Sequence, residues 1–172
     1  MLVLLKGDIM NKKELDTIKQ AILIEIEGYE FYKIASHEAD HDLTKAAFNN
    51  LADEEMKHVE WLKELFMKMT DGSDEPFKLS GIAEPPSPEL YDWSKLDRSQ
   101  ASTGMSVFSI GMHMEQASVA FYQKAKAQTQ NEEARKLYDV LIKWEQVHYE
   151  QFAKEYESLT EDWWSDQGFA PF

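Results

Sequence analysis

The chain contains no cysteine, which excludes disulfides, zinc ribbons, iron–sulfur clusters and thiol catalysis and leaves the redox compartment open. Glycine and proline are scarce, seven and five among 172 residues. Several of each fall in one central stretch, so long unbroken helices are expected on either side of it. Positive charge is also short: 18 Lys and Arg stand against 32 Asp and Glu, a net charge of −14. That balance argues against nucleic acid and anionic membranes as partners. There is no long apolar run. Met1-Leu2-Val3-Leu4-Leu5 is ended by Lys6, Gly7 and Asp8, well short of the roughly 7–15 apolar residues of a signal peptide or the about 20 of a spanning helix. The expectation is a cytoplasmic protein with no membrane segment, starting at Met1 or Met10. Its length suits one domain with a real core.

What is present is helical periodicity. Leu15, Ile18, Ile22, Glu25, Tyr29 and Tyr32 recur at steps of three and four, which predicts a first helix over about 11–39 with Asn11 as its cap. Asp42 can cap a second helix over about 42–69, whose inward stripe is Phe48, Leu51, Glu55, His58, Leu62 and Phe66. Residues 71–101 carry Asp71-Gly72-Ser73, Gly81, Pro85-Pro86 and Ser87-Pro88, incompatible with a continuous helix. They are expected to form a crossover, pinned by Leu90, Tyr91 and Trp93, from the end of the second helix to the start of the third. The third helix, about 104–128, presents Val107, Gly111, Glu115, Ser118 and Tyr122. The fourth, about 132–158, is capped by Asn131 and presents Tyr138, Leu141, Glu145, His148 and Phe152. Trp163, Trp164, Phe169 and Phe172 form an aromatic tail over 161–172, expected to dock on the helices or on a second subunit. The predicted architecture is all-α: an antiparallel four-helix bundle with a long crossover between helices 2 and 3.

Polar residues interrupt the apolar stripes in a repeating way. Glu55-x-x-His58 recurs as Glu145-x-x-His148, 90 positions later, and a shift of 90 also aligns Glu25 with Glu115, Tyr32 with Tyr122 and Leu51 with Leu141. A lone Glu-x-x-His is common on an acidic helix. Glu25, Glu55, His58, Glu115, Glu145 and His148, all on inward stripes in one register, form a set. Carboxylate-bridged metal sites in bundle cores take one Glu from each of two helices and Glu-x-x-His from each of the other two. Four converging carboxylates would have to be largely protonated in a low-dielectric core unless cations balanced them. Two divalent ions balance four Glu, and mixed oxygen and nitrogen donors suit iron or manganese, with zinc also possible. Tyr32 and Tyr122 are placed to bond a ligand carboxylate as supporting residues. His37, His41 and His113 lack such partners and are expected at the surface or an interface.

The motifs Glu25-Ile-Glu-Gly-Tyr-Glu-Phe-Tyr32, Ala52-Asp-Glu-Glu55-Met-Lys-His58, Glu115-Gln-Ala-Ser-Val-Ala-Phe-Tyr122 and Glu145-Gln-Val-His148 resemble the rubrerythrin branch of the ferritin-like superfamily, over about residues 11–158. The resemblance implies a ferritin-like fold and a non-haem centre of two iron ions. Glu55 and Glu145 would bridge the ions, with Glu25 and Glu115 terminal, one imidazole per ion, and no catalytic residue beyond the ligands. It also implies chemistry with hydrogen peroxide or dioxygen and a homodimer or higher oligomer. Two features depart from that pattern. With no cysteine there is no rubredoxin module, so the electron donor is expected to be a separate molecule. The extra Glu that rubrerythrins carry one turn after the third-helix ligand is here Ser118, whose repeat mate is Gly28. Three functions follow from this set: a di-iron oxidoreductase, a ferroxidase or iron-handling protein, or a metal-binding module without redox activity.

Overall fold

The computed structural model describes residues 2–40, 42–71 and 101–168. They form four helices: α1 (Leu2–Glu38), α2 (Asp42–Asp71), α3 (Ala101–Gln128) and α4 (Glu132–Asp166). Among the described residues, no helix is long and apolar enough to cross a membrane. The expected crossover and its anchors Leu90, Tyr91 and Trp93 lie outside the described residues, as do His41, Phe169 and Phe172.

Side-chain pairings define the directions. Lys33 donates to Asn49 Oδ1 at 2.7 Å and Ser36 to the Lys45 carbonyl at 3.1 Å, so α1 and α2 form an antiparallel hairpin. Lys126 pairs with Asp139, and Thr160 Oγ1 lies 3.4 Å from Met105 Sδ, so α3 and α4 form a second one. Tyr122 bonds Glu25 and Tyr32 bonds Glu115, which sets α1 against α3, antiparallel. Glu54 against His148 at one end and Lys68 paired with Glu133 at the other, with Trp61 against Trp144 between them, do the same for α2 and α4. Consequently α2 and α3 run in the same direction, and the end of α2 and the start of α3 sit at opposite ends of the bundle.

The core is two apolar clusters rather than one. The first contains Tyr32, Phe48, Leu51, Phe108, Phe152 and Leu159. The second contains Ile18, Leu62, Tyr122, Leu137, Tyr138 and Leu141. The repeat exchanges them: Tyr32 and Tyr122, Phe48 and Tyr138, Leu51 and Leu141, Phe108 and Ile18, Phe152 and Leu62 are mates 90 positions apart and fall in opposite clusters. Each fully buried Leu, Ile or Phe contributes about 1.5–3 kcal/mol, which offsets the cost of the polar layer between them. Gly111 permits close approach on one side, since a Cβ there would lie 3.0 Å from the Phe152 ring.

The helix ends depart from the sequence expectation in two places. Asn11 lies inside α1, which begins at Leu2; Gly7 is tolerated within a helix at a cost of about 1 kcal/mol. α4 continues past 158 to Asp166 because its apolar spacing continues through Tyr156, Leu159 and Trp163, which pack with the first cluster. Trp163 is therefore part of the bundle, while Trp164, edge-on to it at 4.8 Å, is 42% exposed. The smaller shifts, to Asp71 in α2 and Ala101 in α3, are ordinary differences at helix ends.

At the start of α4 the expectation holds. Asn131 is extended (φ −84°, ψ 118°) and its Oδ1 accepts from the backbone N–H groups of Glu133 and Ala134, both at 2.9 Å. Replacing Asn131 with Ala leaves those donors to water and should destabilise the fold by about 0.5–2 kcal/mol, read as a lower denaturation midpoint, while Asn131→Asp retains most of the stability.

Candidate metal centre

Between the two apolar clusters lies a polar layer. Glu25, Glu55, His58, Glu115, Glu145 and His148 are all buried, none more than 3% exposed. α1 supplies Glu25, α2 supplies Glu55 and His58, α3 supplies Glu115, and α4 supplies Glu145 and His148. Each Glu-x-x-His brings its two side chains onto one face because residues three apart are neighbours on a helix. The structure thus brings together all six residues singled out from the sequence.

They form two overlapping quartets. One is Glu25, Glu55, His58 and Glu145; the other is Glu55, Glu115, Glu145 and His148; within each, the donor atoms lie within 4.8 Å of one another. Glu55 and Glu145 belong to both. His58 Nδ1 lies 2.9 Å from Glu25, 3.3 Å from Glu55 and 3.2 Å from Glu145. His148 Nδ1 lies 3.3 Å from Glu55, 3.6 Å from Glu115 and 3.7 Å from Glu145. The two imidazoles are near parallel, 6.2 Å apart.

The tyrosines support the layer crosswise. Tyr32 donates to Glu115 Oε1, and Tyr122 donates to Glu25 Oε1. On its own helix each tyrosine is seven residues from a glutamate, about 10 Å along the axis. The antiparallel neighbour instead places it alongside the glutamate of the other hairpin. Burial, and then the charge of Glu25, holds the Tyr122 phenol well above its usual range, so it remains a donor.

Among themselves the six groups divide their protons unevenly. Burial, followed by repulsion from Glu145 and Glu55, raises Glu25 well above the usual carboxylate range; burial and Glu145 do the same to Glu115. Burial also opposes charge on Glu55 and Glu145, as does the repulsion of Glu55 by Glu145, but the two imidazoles close beside them outweigh this and hold these carboxyls low. The imidazoles are shifted the other way: burial disfavours their charged form, and the surrounding carboxylates more than compensate, raising both.

The donor set fits a cation. His148 Nε2 lies 3.1 Å from Glu54 Oε2; when the ring is neutral, as a metal ligand must be, this contact keeps its proton on Nε2 and leaves the Nδ1 lone pair facing three carboxylates. Acceptors then face an acceptor. His148 Nδ1 and Glu145 Oε1 are buried without hydrogen-bond partners, an arrangement that a metal ion held by both would satisfy.

Four neighbours of the layer were not singled out from the sequence: Glu54, Trp61, Trp144 and Gln151. Their repeat mates differ in type, Glu54 with Trp144 and Trp61 with Gln151, so a search for matching residues passes over them. A cavity of about 160 Å³ reaches the layer between α1 and α3, bounded by the carboxylates and by Gly28 and Ser118. Grooves of about 350 and 510 Å³ near Lys13 and Gln128 contain none of the six residues. His37 and His113 are exposed, His113 Nδ1 lying 2.6 Å from the Ser109 carbonyl.

The chain covers 87% of its length and 91% of the other's in superposition on a hypothetical protein from Pyrococcus furiosus, with 28% identity and a TM-score of 0.65. No curated protein matches the sequence. The Rubrerythrin family matches residues 16–156, a span that contains all six residues of the buried layer, both tyrosines and Glu54, and the chain belongs to that family.

Proposed function

We propose that the buried layer is a carboxylate-bridged centre for two iron ions and that the protein is a non-haem di-iron oxidoreductase acting on hydrogen peroxide or dioxygen. The observation that carries this reading is the pair of donor quartets sharing Glu55 and Glu145, with an imidazole Nδ1 directed into each. On this reading Glu55 and Glu145 would be shared between the two ions, Glu25 and Glu115 would each hold one, and His58 and His148 would serve one ion each. Manganese or zinc can satisfy the same donors.

Iron bound there supplies electrons for reducing an O–O bond, two electrons and two protons converting hydrogen peroxide into two water molecules. An external donor, a separate molecule, returns the electrons. The chain's own groups hold and shield. Tyr32 and Tyr122 fix the terminal carboxylates, Glu54 fixes the His148 tautomer, and Leu51 and Leu141 belong to the apolar clusters that keep bulk water from the layer. The cavity beside Gly28 and Ser118 admits a molecule of peroxide size. A Cβ at Gly28 would already lie 3.4 Å from the Glu55 carboxyl carbon, so larger residues there would narrow the approach.

A second reading, oxidation and handling of iron itself, is favoured by the same small residues. With Ser118 and Gly28 where a further carboxylate would break the symmetry, the donor set is the same on both sides. Anaerobic protein loaded with two ferrous ions per chain should be oxidised rapidly by added peroxide and turn over repeatedly with a reductant. Uptake of many further ions from excess ferrous iron, without peroxide turnover, would favour iron handling. Stoichiometric iron that reacts with neither oxidant would overturn both readings. Glu55→Ala and Glu145→Ala should each lower metal content at both positions, from two ions per chain towards none, by elemental analysis.

Proton linkage offers a check that needs no turnover. Glu25, Glu115, His58 and His148 have folded values above the unfolded ones, which are about 4.3 for Glu and 6.5 for His. Their contribution to stability is full below those values and is lost as pH rises through the folded ones. Glu55 and Glu145, shifted down, contribute above about 4.3 and lose that contribution on acidification. The chelator-treated protein should therefore melt highest near pH 4–5, about the unfolded Glu value, and progressively lower as pH rises, more steeply once it passes the unfolded His value of about 6.5. Ferrous or zinc ion, which replaces these protons, should restore the melting temperature by an increment that grows with pH. A metal increment independent of pH would contradict this account.

A further inference from the structure

The two halves of the centre have matching donors and unmatched surroundings. Behind His148, the Glu54 carboxylate stands 3.1 Å from Nε2. The repeat mate of Glu54 is Trp144, which lies edge-on to His58 with ring centroids 5.2 Å apart. Trp61 covers His58 at 5.3 Å. The mate of Trp61 is Gln151, one turn beyond His148 on the same face of α4, 5% exposed and with neither amide atom bonded. His58 is fully buried, and its Nε2 has no hydrogen-bond partner. One imidazole is thus backed by a carboxylate, while the other is held among indole rings.

That difference acts on the ligand atom. A histidine binding metal through Nδ1 carries its remaining proton on Nε2. When this N–H donates to a carboxylate, the ring becomes more electron-rich, a stronger donor, and fixed in orientation; loss of such a partner typically weakens metal affinity by about 10–100-fold. His58 has no acceptor to play that part. The carboxylates do not cancel the difference, because Glu55 and Glu145 are common to both quartets and each quartet adds one further Glu held by one tyrosine.

Resting on the metal-centre reading above, we propose that the two metal positions are inequivalent: the position formed by Glu55, Glu115, Glu145 and His148 binds more tightly and fills first, with Glu54 as the positioning residue responsible. The His58 position is the weaker one and fills second. Occupancy therefore passes through a half-loaded state with a defined vacancy at His58, rather than an even mixture of two half-loaded forms.

The test uses the full chain, labelled with ¹⁵N-histidine, freed of metal and then supplied with Zn²⁺ alone while the imidazole nitrogens are followed by NMR. At one equivalent per chain, His148 Nδ1 should be metal-bound and His58 free, with a preference of at least about 10-fold; the second equivalent should convert His58. Glu54→Ala, at a partly exposed position, should abolish the preference with the helical circular dichroism unchanged. Glu54→Gln, which keeps an acceptor oxygen, should retain part of it. Parallel filling in the unaltered protein, His58 filling first, or an order unchanged in Glu54→Ala would each overturn the inequivalence while leaving the metal centre standing. If neither imidazole responds to Zn²⁺, the metal-centre reading itself fails, and this inference with it.

Discussion

Everything in this bundle answers to one constraint: four carboxyl groups and two imidazoles share a buried layer in the middle of a helical core. Moving such groups out of water is expensive unless opposite charge or protons accompany them. The chain divides its apolar residues into two clusters, one on each side of the layer, so packing energy is gathered at both ends of the bundle and the polar groups lie between, reached by the cavity beside Gly28 and Ser118. The glutamates shared by both quartets are those held low by two imidazoles, and the outer glutamates are those held high by burial. The proton distribution and the donor geometry thus divide the four carboxyls in the same way.

The antiparallel arrangement decides who supports whom. Because α1 faces α3 and α2 faces α4 in opposite directions, each hairpin supplies the tyrosine that steadies the other's terminal glutamate, and Glu54 of the first hairpin backs His148 of the second. No quartet belongs to one hairpin alone, since Glu55 and Glu145 each serve both. The layer therefore exists only when the hairpins are docked. Metal binding and docking are then two expressions of one equilibrium, as expected when a site forms only in the folded state.

Much of this was legible in the sequence, for reasons that can be traced to particular residues. The four-helix architecture follows from apolar spacing, and the six buried donors follow from their recurrence at a common offset. Periodicity and repetition both survive without coordinates. Helix ends were less legible. Asn11 has the chemistry of a cap but lies inside α1, and α4 runs beyond the expected stop because Leu159 and Trp163 continue its stripe. Tyr32 and Tyr122 bond carboxylates of the layer, yet their crosswise pairing depends on inter-helix register, which one helix's spacing does not encode. Glu54, Trp61, Trp144 and Gln151 escaped because they break the repeat. Their meaning is spatial, and it is carried by the differences between mates.

Those differences bear on how the two hairpins relate to each other. Two identical hairpins assembled as a symmetric pair would build the same six-donor layer, with every supporting residue present twice. Such an assembly has to treat its two ion positions alike, because any substitution alters both. Joined in one polypeptide, the hairpins are released from that restriction: a glutamate can stand behind one imidazole and a tryptophan behind the other. Covalent linkage thus does more than keep the halves together. It allows a centre whose donors are duplicated to have a left and a right.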